Sequence, residues 1–427
     1  MSDLGFLEKL LAGASVEWMP LRTVADILNG YAFKSTKYSE SGIRVVRISD
    51  VQKGQMSQKD LKFYPSAAKS EIERYMLFAG DLVMSLTGNC GRVAMLSGDD
   101  LPAALNQRVA CLRADRTVVL TRYLFHYFDQ VSFELEAMGS ATGGGQKNMS
   151  TNWLGQYPVP IPCPEEPEKS LAIQAEIVRI LDAFSELTAE LTAELTAELE
   201  VRKKQYNHYR EQLLSFEDGE VKNLPMGDER VGKFIRGGGL QKKDFVEAGV
   251  GCIHYGQVYT HYGTYAHTTK SYVSEEFAKK ARMAKKGDVV IATTSENDED
   301  VCKAVAWLGD NNIAVSSDAC FYSHKLNPKF VAYFFQTEQF QKQKRIHITG
   351  AKVRRVNADS LAKILIPVPS PEEQDRIVAI LDKFDTLTTS LSAGLPREIK
   401  LRQQQYEYYR DLLLSFPKPA PEAGEAA

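Results

Sequence analysis

The chain has 427 residues, 44% of them hydrophobic and 25% charged, with a formal net charge of −3. This is too long for one hydrophobic core and fits two to four domains, in an ordinary globular composition. No apolar run approaches the eighteen or so residues of a membrane span, and Met1–Lys9 lacks the pattern of a signal peptide. The small acidic excess argues against a free-standing nucleic-acid binder unless charge is segregated by domain.

In chain order, residues 1–15 form a short stub whose Leu10-Leu11 resembles Leu213-Leu214. A first variable domain, 16–157, opens on Val16-Glu-Trp-Met-Pro20-Leu. It holds the short apolar strands Arg44–Ile48, Gly80–Ser85, Gly91–Leu96 and Val109–Leu112, punctuated by turn residues. It closes on an aromatic helical stretch, Tyr123–Phe128. The proline segment Pro158-Val-Pro160-Ile-Pro162-Cys-Pro164-Glu-Glu forbids helix before it and suits a first helical turn after it. Acidic residues there favour the positive end of the helix dipole. A helix predicted to about Ser215 spans some 40 residues, roughly 60 Å at 1.5 Å per residue, in a conserved-type segment at 158–216. A second variable domain, 217–363, opens on Val221-Lys-Asn-Leu-Pro225-Met. It carries the strands Gly287–Ala292, Lys303–Leu308 and Ala319–Tyr322 and the aromatic stretch Phe330–Phe335. Pro367-Val-Pro369-Ser-Pro371-Glu-Glu then starts a second long helix in 364–416, before a tail at 417–427 expected to be disordered.

The two helical segments are copies. Gln174-Ala-Glu-Ile177-Val-Arg-Ile180-Leu181-Asp182-Ala-Phe184 recurs as Gln374-Asp-Arg-Ile377-Val-Ala-Ile380-Leu381-Asp382-Lys-Phe384, and Gln205–Phe216 recurs as Gln405–Phe416. A long-period repeat decides the architecture before any local pattern does. It predicts two similar halves, each ending in a long helix, related by a pseudo-twofold axis. Thr188-Ala-Glu-Leu191 is followed by two further copies through Leu199. Leu187, Leu191, Leu195 and Leu199 form one stripe; Leu387, Leu391, Leu395 and Ile399 form its counterpart, and the two are expected to bury each other as a coiled coil. A spacing of four overshoots the helical turn by about 40° each time, so the stripe drifts from an ideal zipper. Gly394 and Pro396 should loosen or kink the second helix.

The six cysteines contain no C-x-x-C pair and read as buried thiols in a reducing cytoplasm. No phosphate-binding loop and no zinc-type spacing is present. Asn327-Pro-Lys-Phe330 lacks the middle proline and the preceding glycine-rich turn of an amino-methyltransferase motif. Binding chemistry remains. Lys352, Arg354 and Arg355 surround Gly350, and Gly143, Gly144 and Gly145 precede Gln146, Lys147 and Asn148 at the matching place of the first domain. Glycine lets backbone approach phosphates. Asn and Gln pair with adenine, and Arg and Lys with guanine. Arg92 and Arg108 follow strand turns, and Lys242, Lys243 and Lys270 add weaker candidates. No catalytic or metal-ligating set emerges.

Taken together, Gly80-Asp-Leu-Val…Gly91-Arg-Val-Ala, Asn106-Gln107-Arg108-Val-Ala, the glycine loop with Gln146-Lys147 and the proline segment before Gln174…Asp182 resemble the specificity subunits of type I restriction-modification enzymes. The Thr-Ala-Glu-Leu units look like those of the type IC branch. Ser316-Ser317-Asp318 departs from the pattern where Asn-Gln-Arg is expected. The resemblance implies an α+β chain. In it, two α/β target recognition domains are separated by two long conserved helices packed as an antiparallel coiled coil. It also implies a non-catalytic reader of double-stranded DNA that recognises an asymmetric bipartite site, one half-site per domain. Two methylation subunits would carry S-adenosylmethionine, and restriction subunits would add ATP- and Mg-dependent chemistry; no cofactor is expected on this chain. Two alternatives differ in class. A scaffold joining two proteins predicts no sequence-selective DNA binding. A methyltransferase with its own donor site predicts cofactor binding by the isolated chain.

Overall fold

A computed structural model describes residues 9–11, 13–143, 147–217, 219–390 and 393–417. The chain divides into two compact units, 1–192 with 401–427, and 193–400. The expected tail lies outside the described residues from 418 onward.

In the first unit, four antiparallel strands lie in the order Ala25–Asn29, Val109–Ala114, Leu82–Ser85, Val93–Met95. Leu82–Ser85 is buried at every position, as expected of a strand covered on both faces. A second sheet orders Phe63–Tyr64, Ile43–Val46, Ala103–Leu105 and Met76–Leu77, with the central pair parallel. The second unit repeats both. Gly232–Arg236, Ala319–His324, Val289–Ala292 and Ala304–Trp307 form the first sheet, extended by Tyr265–Ala266. Ser271–Val273, Val250–Ile253, Ile313–Val315 and Met283–Ala284 form the second, again with a parallel central pair.

The proline segments are strands. Val16–Pro20 pairs antiparallel with Pro158–Pro162, and Lys222–Pro225 with Leu365–Val368. A boundary at residue 157 therefore cuts a strand pair, and Pro158–Pro162 belongs with the first module. Proline survives here because these are two-stranded ribbons, where one edge makes no ladder hydrogen bonds.

One helix, Pro167–Leu213, runs 47 residues without interruption, about 70 Å. Its counterpart was expected as one kinked helix and is two, Pro371–Thr389 and Leu395–Leu413. The first ends at Ser390 in extended conformation. A Cβ at Gly394 would meet the Thr386 carbonyl oxygen at 2.4 Å, so the backbone closes there as no other residue allows. Pro396 falls in the first turn of the restarted helix, where its missing N–H costs nothing.

The helix–helix contacts fall on aromatic positions of the repeat. In the first unit Phe184 stacks on Tyr409 at 5.5 Å and the Ser185 hydroxyl donates to Tyr406 Oη at 2.8 Å, an antiparallel pairing. In the second unit Tyr209 and Tyr206 stack on Phe384 at 5.4 and 6.3 Å, which repeats the Phe184–Tyr409 contact. Of the leucine stripe, Leu191, Leu195, Leu199, Leu387, Leu395 and Ile399 are half-buried. Leu187 is 50% exposed, a correction that follows from the drift of a four-residue spacing. Leu391 lies outside the described residues. Leu11, Leu413, Leu414 and Phe416 share the first unit's core, and Trp18 Nε1 donates to the Pro417 carbonyl at 2.9 Å.

Duplicated polar residues dock each helix on its module. Gln174 accepts from the Leu120 amide at 2.9 Å and donates to the Val118 carbonyl at 3.0 Å. Gln374 accepts from the Asn327 amide at 2.7 Å and donates to the Pro369 carbonyl at 2.9 Å. Asp182 binds Arg122 Nε at 2.8 Å and His126 Nε2 at 2.7 Å, where Asp382 binds Lys329 Nζ at 2.6 Å and Tyr333 Oη at 2.7 Å. Burial holds the His126 imidazole down at about 4, against the pull of Asp182. The unfolded chain, with an ordinary histidine near 6.5, thus binds a proton over pH 4–6.5 that the folded unit does not. The first unit is expected to lose up to about 3 kcal/mol as pH falls through that window. Denaturation of the wild type and of His126→Gln across the window tests this: the variant's acid limb should be flatter, and identical limbs would contradict the assignment.

Candidate nucleic-acid interface

The two predicted loops are closed by the same bridges. Thr142 and Asn148 form an antiparallel bridge, as do Thr349 and Arg355. Each hairpin then pairs with the end of a central strand. Asn148 bridges Thr87, and Arg354–Arg355 pairs with Thr294–Ser295. The next amide also repeats: Met149 donates to the Leu86 carbonyl at 2.8 Å and Val356 to Thr293 at 3.1 Å. Gly350 has φ +90°, and a Cβ on it would meet the Val353 carbonyl oxygen at 2.1 Å, so the turn requires glycine. Gly144 and Gln146 lie outside the described residues.

A third strand end completes the arrangement. The Leu86 amide donates to the Arg108 carbonyl at 2.9 Å, and the Thr293 amide to the Asp318 carbonyl at 3.0 Å. Asp318 therefore stands where Arg108 stands, confirming the departure from Asn-Gln-Arg as a change of side chain on one backbone. Gly30 and Gly237 each press against this turn. A Cβ there would lie 2.2 Å from the Asn106 oxygen and 2.0 Å from the Ser316 oxygen. That contact fixes the preceding residues, Asn29 and Arg236, beside it.

The candidate side chains divide by what they touch. Arg92 is drawn off by Glu134 at 3.1 Å. The Lys147 ammonium donates to the Met138 carbonyl at 3.1 Å while its own carbonyl accepts from Gly88 at 2.9 Å. Arg354 is held by Asp298 at 2.8 Å and the Gly350 carbonyl at 2.6 Å, so it shapes the hairpin. Asn148 is exposed and accepts from the Thr87 hydroxyl at 2.9 Å. Arg108, Lys352 and Arg355 are exposed. Lys242 and Lys243 lie exposed on a single turn. Burial and the Lys242 charge hold the His254 imidazole below its ordinary value, against Asp318. Lys270 is exposed, its amide donating to Tyr262 Oη at 2.8 Å; among the described residues no hydrogen bond or ion pair joins it to the hairpin.

Buried Lys344 fixes the neighbouring acidic loop through the carbonyls of Asp298, Glu299 and Val301 at 2.8–3.0 Å. A cavity of about 260 Å³ is lined by Arg236, Thr294, Asp318, Thr349, Arg355 and Asn357, among others. Arg236, Asp318 and Asn29 were missed by sequence reasoning. The paired dipeptides Asn29-Gly30 and Arg236-Gly237 carry the signal that could have found them. Among the described residues, no group of three or more His, Cys, Asp or Glu side chains is placed to hold a metal ion, and no helix is long and apolar enough to cross a membrane. All six cysteines are buried and unpaired.

The family model for the type I restriction modification DNA specificity domain matches twice, at residues 15–201 and 231–401. The chain is 34% identical over 430 residues to the type I restriction enzyme EcoR124I/EcoR124II specificity subunit of Escherichia coli, covering 98% of this chain and 99% of that one. It is 32% identical to a putative type I restriction enzyme specificity subunit of Haemophilus influenzae, covering 96% and 98%. Among solved structures, a chain of a type I restriction-modification system studied for complex assembly and conformational transition superposes with a TM-score of 0.66 at 16% identity, covering 93% of this chain and 97% of that one. The HsdS subunit from Thermoanaerobacter tengcongensis gives 0.51 at 16% identity, covering 93% and 95%. Two copies of one domain, full-length likeness to specificity subunits and a shared fold place this chain in the type I restriction-modification DNA specificity family.

Proposed function

We propose that this chain is the non-catalytic DNA reader of a type I restriction-modification complex. Each unit binds one half of an asymmetric, two-part site in double-stranded DNA. The helical spacer sets the gap between the halves. One observation carries the reading: a single backbone arrangement is built twice with different side chains, Asn148 and Arg108 in one unit and Arg355 and Asp318 in the other. Equal scaffolds with unlike polar groups suit unlike half-sites. Two methylation subunits bearing S-adenosylmethionine and restriction subunits using ATP and Mg supply the chemistry. Their phosphate contacts account for a reader that is itself slightly acidic. The tandem Thr-Ala-Glu-Leu units put it with the type IC branch, and the work is done in the cytoplasm.

The spacer gives a test. Residues 188–199 lie inside the unbroken helix Pro167–Leu213. Removing four residues shortens it by about 6 Å and rotates it by about 40° beyond a full turn. One base pair rises about 3.4 Å and turns about 34°. Deleting 196–199 is expected to shorten the permitted gap by one to two base pairs and leave both half-sites unchanged, read by methylation across a spacer series. An altered half-site with an unaltered gap would contradict the ruler, and no sequence-selective binding with methylation subunits present would favour the scaffold.

A further inference from the structure

We infer that Arg236, Asp318 and Arg355 form one constellation that reads a G·C pair in the half-site of the second unit, and that Asn29, Arg108 and Asn148 hold the same three positions in the first. The inference rests on the proposed DNA-reading function and names the residues that give it specificity.

The correspondence comes from backbone register. Arg236 pairs with Cys320 as Asn29 pairs with Ala110, each one residue before the glycine that presses on the neighbouring turn. Asp318 and Arg108 each present a carbonyl to the amide after the central strand, and Arg355 and Asn148 each close a hairpin on the partner threonine. All three backbones of the second unit are therefore fixed by hydrogen bonds, and all three residues line one cavity of about 260 Å³.

These side chains are unspent. Among the described residues, Arg236 gives only its Nε, to the Ser317 carbonyl at 3.3 Å, and no side-chain hydrogen bond engages the Arg355 guanidinium. Half-buried Asp318 receives one long contact, from the Thr294 hydroxyl at 3.5 Å, and closes on neither arginine. A carboxylate and two guanidiniums that share a cavity without pairing leave donors and acceptors for a ligand. A guanidinium fork donates to guanine O6 and N7, while a carboxylate accepts from the cytosine N4 amino group. Arg and Asp thus satisfy both halves of one G·C edge. The first unit has no acid there, and its asparagines suit adenine.

The test uses the complex of this chain with its methylation subunits and reads the methylated motif genome-wide for the wild type, Asp318→Asn and Arg355→Ala. Asp318→Asn is expected to admit an A·T pair at one position of the second half-site. Arg355→Ala should lower methylation of the wild-type site by about 10- to 100-fold, as loss of one bidentate base contact does. Both should leave the first half-site and the gap intact, which also shows that the variants fold and assemble. If both variants keep the wild-type motif with full discrimination, the constellation is wrong and the DNA-reading function stands. Loss of methylation at every site in both variants, in complexes that still assemble, would mark a general structural role and overturn it as well. If the wild type itself yields no two-part motif, the proposed function fails instead.

Discussion

Exchanging residues 16–162 for the corresponding module of another family member is expected to replace one half of the methylated DNA site completely and to leave the other half and the gap as they were. The module is closed on itself. Its first and last strands, Val16–Pro20 and Pro158–Pro162, are paired along their whole length, so both ends of the exchange meet side by side. Its attachment to the helix runs through residues of the duplicated segment, Gln174 to the backbone at Val118 and Leu120, and Asp182 to Arg122 and His126. The backbone part of this docking does not depend on module sequence, since the second unit makes it again through Gln374 to Asn327. A boundary at 157 would leave Pro158–Pro162 paired to a foreign first strand, and such a chimera is expected to fold less well. Motif determination on the chimera decides the matter: a change in both half-sites would end the modular account.

Arg410→Ala is expected to destabilise the first unit by about 3–5 kcal/mol, the usual effect of stripping one partner from a buried ion pair. The Arg410 side chain is 1% exposed and its Nη1 lies 2.8 Å from Asp129 Oδ2, itself 10% exposed. Burial lifts the Asp129 carboxyl to about 6 even with Arg410 opposing. Its ordinary value near 3.9 applies in the unfolded chain. Above pH 6 the folded unit therefore holds a buried carboxylate that depends on Arg410, and in acid it holds a neutral carboxyl that does not. The deficit of Arg410→Ala should accordingly grow as pH rises through about 6. The repeat supplies an internal control. Arg210, at the matching position, donates to the neutral Gln336 amide oxygen at 3.3 Å and reaches Glu211 at 3.6 Å. Arg210→Ala should cost only about 1 kcal/mol, the net worth of an ordinary hydrogen bond. Hydrogen exchange of Thr121–Phe128 and residues 401–413 in the first unit, against Pro328–Phe334 in the second, measures the two losses separately. Equal losses would refute the distinction.

What the sequence made legible was what repeats. The helix copies carry their docking residues at identical positions, and the buried strands Leu82–Ser85 and Val289–Ala292 read directly as apolar runs. The Val16–Pro20 and Pro158–Pro162 pairing was not legible, because proline-rich strands lack the β-branched alternation by which strands are recognised. Leucines every four residues suggested a zipper, yet the pairing contacts fall on Phe184, Phe384, Tyr209 and Tyr409, which keep one face where a four-residue spacing drifts. At the interface, composition pointed to the right hairpins but not to their free groups. Arg92, Lys147 and Arg354 look like DNA contacts in sequence and are tied up by Glu134, Met138 and Asp298. Arg236 and Asp318 become visible only when strand register brings residues 82 apart in sequence into one cleft with Arg355.

Sequencing the methylome of a strain that carries this chain and its methylation subunit as its sole such system bears most directly on the whole account. Two unlike readers on one rod require a single asymmetric motif, two specified blocks separated by a gap of constant length. A palindrome, one contiguous block, or blocks at variable spacing would contradict it.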